Sequence, residues 1–309
     1  MKSYTYKEVL ETAERTLAEM QGATLDVLTL SRPNSAAEIQ NTAKIISKLS
    51  PLVGNLIEFR SADFLNANDW FAPLGKWIRQ DPGFPDVLFQ GSVSPSPGIE
   101  IKAWFPFATE ITGRFKDSEK RFENGEIDLA ILAWLPEFVF WGKPKIIDVC
   151  IVSGKSVAKA RDNHYHQPPR YLVIEPEDTA DRTSNLQQTN TNGYVIQESN
   201  RSKLDDAQKI VSSWGARGEK YSPSAAYQKK IAKLMATFKY RLDTNYAKID
   251  RIEHQGIESF KTKTLNTIIC GKTIKTWGRL IQNLPVDVAE EILTMHPTNS
   301  DQQNALPLH

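Results

Sequence analysis

Five residues define the chemistry to look for: Pro85-Asp86 and, after thirteen intervening residues, Glu100-Ile101-Lys102. Pro85-Asp86 is the only Pro-Asp pair in the chain. Lys102 is the only lysine with an acid two residues before it, although the chain holds 37 acids. Two carboxylates that meet make a hard-oxygen site suited to magnesium. A lysine beside them orients a water and stabilises negative charge in a transition state. Phosphodiester hydrolysis asks for such parts: an activated water, a shield for the phosphate charge and help for the leaving oxygen.

Those side chains need a strand and a neighbour to hold them. Ile99, Ile101 and Ala103 alternate with Glu100, Lys102 and Trp104, so a strand over Ile99–Phe105 places Glu100 and Lys102 on one face. Charges on an apolar strand are costly to bury unless paired or bound to a metal. Asp86 opens a short strand, Asp86–Gln90, in a Pro-, Gly- and Ser-rich stretch from 81 to 98. A hairpin would bring it beside Glu100. The alternative is an ordinary Glu–Lys pair on an exposed edge strand.

By Pro85-Asp86 and Glu100-Ile101-Lys102 the chain resembles the PD-(D/E)xK nuclease superfamily, and within it the type II restriction endonucleases. The resemblance covers about residues 50–175. It implies that Asp86, Glu100 and the carbonyl of Ile101 hold Mg2+, with Mn2+ able to substitute, and that Lys102 serves the attacking water. Gly54-Asn55-Leu56-Ile57-Glu58 resembles the stretch that sends an acid from an N-terminal helix into such sites, which gives Glu58 a supporting role. A solvated helix acid is the alternative. The implied product ends are 5′-phosphate and 3′-hydroxyl, and the implied partner is double-stranded DNA.

Contacts to that DNA have several candidate sources. Thr109, Thr112, Arg114 and Lys116 follow the Lys102 strand and suit phosphates or base edges. Equally, they suit a turn and a helix start with surface polar groups. Arg182, Asn185, Gln187, Gln188, Asn190 and Asn192 crowd one polar loop, and amides and arginines are the side chains for bidentate base readout. Amide-rich loops also occur without function. His164-Tyr165-His166 has no acid or cysteine nearby at ligand spacing and reads as structural or DNA-facing. The formal net charge is only +1, yet residues 200–280 hold 17 Lys and Arg against 7 Asp and Glu. A basic third in an otherwise acidic chain suggests a polyanionic partner, with a solvated surface as the alternative. In it, Lys229, Lys230 and Lys233 interleave with aromatics and suit phosphate contact or a dimer helix.

The expected fold is α/β: a restriction-endonuclease-like core with a central mixed β-sheet flanked by helices, plus a mainly helical C-terminal region. Helices are expected over 5–30, from Ser35 to Ser47, and from Pro51 through Phe64. Strands are expected at Ile127–Trp134, Ile146–Val152 and Arg170–Ile174, with a short one at Tyr194–Gln197. Ser156–His164 reads as a crossover helix and Ala225–Ile252 as the strongest helical stretch. Residues 1–200 form the expected core and 201–309 the basic helical region, with a disordered tail after 297.

No signal peptide or membrane span is read, and Cys150 and Cys270 read as reduced, buried thiols, so a cytoplasmic protein is expected. A homodimer is expected too, because two-fold symmetry matches a palindromic site. Other readings stay open: a repair or junction-resolving nuclease of the same superfamily, or a DNA-binding protein whose acids are only structural. A methyltransferase does not fit, since no Gly-rich cofactor loop follows a first strand.

Overall fold

A computed structural model describes residues 4–26, 28–81, 83–108, 111, 113, 115, 119–122, 125–166, 171–176, 193–196, 229, 240–242, 249, 252–295 and 307–308. The chain divides into two compact units. The first holds residues 1–113, 120–157 and 254–309, and the second holds 114–119 and 158–253. The boundary thus puts 254–309 with the sheet of the first unit, apart from residues 201–253.

The first unit is an α/β structure around a mixed seven-stranded sheet. In chain order its strands are β1 (Thr24–Leu25), β2 (Gly75–Arg79), β3 (Val87–Gly91), β4 (Gly98–Trp104), β5 (Ile127–Pro136), β6 (Pro144–Ser153) and a last short strand, Pro307–Leu308. The spatial order is Pro307–Leu308, β1, β6, β5, β4, β3, β2. β4 and β5 run parallel, whereas β2–β3, β3–β4 and β5–β6 are antiparallel. The segment expected to be a disordered tail therefore contributes one strand; the rest of it lies outside the described residues.

Helix α1 (Tyr6–Ala18) starts at a capping box, in which the Thr5 hydroxyl accepts from the Glu8 N–H and Glu8 reaches back to the Thr5 N–H. It buries Val9, Leu10, Ala13 and Leu17, with Met20 following. It is shorter than the expected 5–30. Gly22 takes φ 89°, a left-handed conformation that Gly adopts freely, and turns the chain into β1.

The two helices expected on either side of Ser50-Pro51 are one, α2 (Ala36–Asn66), capped by Ser35 as expected. An interior Pro costs a helix about 3 kcal/mol. Ile46, Val53, Ile57 and Leu65 are buried in the same core, and about 1.5–3 kcal/mol for each such side chain exceeds that cost. β2 was not anticipated. Its Trp77 is buried against Phe71 and Phe89, and its edges are tied by Asn66, whose side chain bonds the Trp77 N–H and C=O.

α1 and α2 pack on the sheet face that carries Ile99 and Ile101. Helix α4 (Gln255–Asn266) covers the opposite face, where Phe260 meets Trp104 and Lys263 and Thr264 bond the buried Asp148. Helices α5 (Ile274–Asn283) and α6 (Val286–Thr294) close a second core of Trp277, Val288, Ala289 and Ile292 with Ile39, Val139 and Phe140. Between α4 and α5, Ile268–Ile269 and Lys272–Thr273 pair as a hairpin turned by Cys270 and Gly271, both at positive φ. Cys150 is buried, but Cys270 sits half-buried on that turn.

Helix α3 (Gly154–His166) begins in the first unit and spans the helix expected over Ser156–His164, but it is no crossover, since the strand after it lies in another sheet; His164-Tyr165-His166 form its last turn. In the second unit, Tyr171–Pro176 pairs in parallel with Gly193–Ile196 and antiparallel with Tyr240–Leu242. The strand expected near Arg170–Ile174 therefore belongs to a small sheet of its own and not to the main one. Tyr240–Leu242 also corrects the expectation of helix across Ala225–Ile252; Tyr240, Arg241 and Leu242 find a strand partner, and pairing decides over local periodicity. Among the described residues no helix is long and apolar enough to cross a membrane.

Candidate active site

The site forms where the β3–β4 ladder stops. The two strands pair only at Val87–Ile99 and Leu88–Gly98. Beyond Ile99, the next backbone groups of β4 that face β3 are those of Ile101. Asp86 takes the place of a strand partner: its Oδ2 accepts the Ile101 N–H at 2.7 Å. The Ile101 carbonyl accepts from Lys102 Nζ at 3.0 Å. Lys102 Nζ also lies 2.5 Å from Glu100 Oε1 and 3.3 Å from Asp86 Oδ2. Asp86, Glu100 and the Ile101 carbonyl therefore all turn to one cation.

The site is largely shielded, with the Glu100 side chain 10% exposed and Lys102 18%. Burial pushes the Glu100 carboxyl up to about 7, assisted by the Asp86 charge and opposed by Lys102. Burial works against the Lys102 charge, but Glu100 and Asp86 outweigh it and hold the ammonium above its usual value. Among the described residues, one oxygen, Glu100 Oε2, is buried without a hydrogen-bond partner. An orphaned carboxylate oxygen is expensive in a protein interior, and a bound cation would relieve it.

The donors are hard oxygens, one of them unsatisfied, and they already share a positive charge. Among the described residues, no three side chains of His, Cys, Asp or Glu gather as a metal cluster. A magnesium ion would thus rest on two carboxylates, one carbonyl and water, a set within its usual habits. The residues fit the ion.

Glu58 lies on α2 with its side chain 24% exposed, and its Oε2 is 3.5 Å from Arg79 Nη2. Burial raises its pKa, and the Asp86 charge adds to that rise while Lys102 and Arg79 offset part of it. Glu58 is thus near enough to the site to feel both of its charges. Arg79 and Asp81, joined at 2.8 Å, were not singled out from the sequence. The signal was the unread strand β2, Gly75-Lys-Trp-Ile-Arg79, which alternates about a buried Trp77.

Gly98 is needed for close packing under Asp86, because a Cβ there would fall 2.3 Å from Pro85 Cγ. Of the expected DNA contacts, Thr109, Thr112, Arg114 and Lys116 lie outside the described residues, although Ile111 and Phe115 between them are buried. Arg182, Asn185, Gln187, Gln188, Asn190, Lys230 and Lys233 lie outside them too, and Lys229 is helical and exposed.

Compared with known proteins, the chain matches no family model, no curated protein and no solved structure.

Proposed function

We propose that this protein is a magnesium-dependent PD-(D/E)xK nuclease, and more narrowly a type II restriction endonuclease that cuts double-stranded DNA at a defined sequence. One observation carries the reading: Asp86 Oδ2, Glu100 Oε1 and the Ile101 carbonyl all reach the Lys102 ammonium. A mixed sheet with helices on both faces supports the finer reading of a restriction-endonuclease-like core.

Asp86, Glu100 and the Ile101 carbonyl would hold Mg2+ or Mn2+. The metal, when bound, neutralises charge on the phosphate and acidifies a water. Lys102 is held charged by its two acids, so it serves as an orienting donor and a positive charge, not as a base. Its ammonium would steer the water toward phosphorus and steady the charge that builds there. The water oxygen would bond to phosphorus as the P–O3′ bond breaks, and the proton that the water gives up balances the one that the 3′ oxygen takes from solvent, giving 5′-phosphate and 3′-hydroxyl ends. A homodimer would offer one such site to each strand of a palindrome.

The test is incubation of the purified protein with plasmid or phage DNA and magnesium, followed by sequencing of the fragment ends. Cuts at one short sequence support the restriction reading. Cuts that follow DNA structure favour a repair or junction-resolving nuclease. Binding without any magnesium-dependent cutting, or undiminished cutting in excess chelator, would sink the metal mechanism. Asp86→Ala, Glu100→Ala and Lys102→Ala should each abolish cutting while the protein stays folded.

A further inference from the structure

The nuclease reading leaves one half-buried charge beside the site without a task. Arg79 ends β2, opposite Val87. The next residue, Gln80, donates its N–H to the Asp86 carbonyl at 2.8 Å. The same ladder end therefore holds Arg79 and Asp86 in fixed register.

The Arg79 guanidinium is pinned three ways. Nη2 faces Glu58 Oε2 at 3.5 Å, Nη1 bonds Asp81 Oδ2 at 2.8 Å, and its plane sits 3.9 Å over the Phe59 ring. A planar fork with both ends and one face engaged has little freedom left. Glu58 is in the opposite situation. It stands on α2 just before Phe59, a quarter exposed, and the Asp86 charge repels it. A lone acid so placed would turn its carboxylate to water.

We propose that Arg79 is a positioning residue that holds the Glu58 carboxylate at the Asp86–Glu100–Lys102 site. The inference rests on the nuclease reading and adds to it a residue that acts only through Glu58. Phe59 gives the guanidinium a platform, and Asp81 anchors its solvent end. The pairing also gives a site acid on α2 its partner: β2, in register with Asp86 through β3, brings a cation to the Glu58 carboxylate.

The experiment is calorimetric titration of Mn2+ into the full chain without DNA, for wild type, Glu58→Gln, Arg79→Gln and the double variant, with thermal unfolding as a folding check. Each single variant should bind Mn2+ about tenfold more weakly, as for the loss of a residue that orients a metal site. The double variant should be no weaker than Glu58→Gln, because both changes remove one function. Arg79→Lys, which keeps the charge without the fork, should also bind weakly, and it stands in if Arg79→Gln does not fold.

Wild-type affinity in Arg79→Gln or Arg79→Lys, or in Glu58→Gln, would overturn the proposal. So would a double variant in which the two losses multiply. A separate result reaches the nuclease reading itself: if wild type takes up no Mn2+ that Asp86→Ala abolishes, that reading falls, and the role of Arg79 with it.

Discussion

The buried Glu100 carboxyl makes a prediction about stability that needs no DNA. The perturbation is Glu100→Gln, studied with chelator present so that no metal competes. Burial raises the folded-state pKa of Glu100 from 4.5 to about 7. The folded protein then grips this proton more tightly than the unfolded chain does. The stability it contributes is full below the unfolded value and is lost as pH rises through about 7. At about 1.4 kcal/mol per pH unit, the loss from the low end to the high end of that window is about 3 kcal/mol. Glutamine does not titrate, so the variant lacks this loss. Asp128, raised to about 8 by burial and by Glu14, titrates in both proteins and cancels in the comparison. Urea unfolding across the window, roughly pH 4 to pH 8, should therefore show wild type losing about 3 kcal/mol more than Glu100→Gln. Parallel stability curves would refute the claim that Glu100 is desolvated in the folded state.

Three further outcomes are expected. Gly98→Ala puts a methyl group 2.3 Å from Pro85 Cγ, so it should shift Asp86 off the Ile101 N–H and lower cleavage about 100-fold; cleavage at the wild-type rate would show that Pro85 yields without moving Asp86. Calcium should support DNA binding without cutting, measured by gel shift beside a cleavage assay, because its looser coordination activates water poorly. Changing Lys229, Lys230 and Lys233 together to Ala should lower the slope of log affinity against log salt by about two to three, with specific and random DNA weakened alike. If they form a dimer helix instead, the variant should become monomeric and lose cleavage, and an unchanged slope with an unchanged mass would exclude both roles.

Much of the site was legible because its signals are local. Alternation from Ile99 to Trp104 fixed which side chains share a face, and β4 follows it within one residue at each end. The apolar runs at Ile127–Trp134 and Ile146–Val152 likewise became β5 and β6. The misreadings concern partners, which a single segment does not carry. β2 is read only once its pairing with β3 is known. Tyr171–Pro176 looks like any buried strand, and nothing in its own residues says that it joins Gly193–Ile196 and Tyr240–Leu242 and not β6. Pro51 by itself signals a helix start, whereas the shared core on both sides of it carries α2 through.

The least legible feature is the one on which the chemistry depends. Spacing brings Asp86 near Glu100, but it does not say that the β3–β4 ladder ends at Val87–Ile99. Were the ladder two pairs longer, Pro85 would lie opposite Ile101 and its carbonyl would take the Ile101 N–H, although a proline has no N–H to offer the Ile101 carbonyl. Asp86 would then face solvent or the sheet surface, with no backbone donor to hold it. Because the strands part there, an unpaired N–H and an unpaired carbonyl stand on the edge of β4, and buried backbone groups must find partners. Asp86 Oδ2 meets the first and Lys102 Nζ the second. The same gap thus orients the acid, leaves a carbonyl without a strand partner and turned to the lysine, and draws that lysine between two carboxylates. Pairing register, more than the identity of any one residue, converts a Pro-Asp and a Glu-x-Lys into a single constellation.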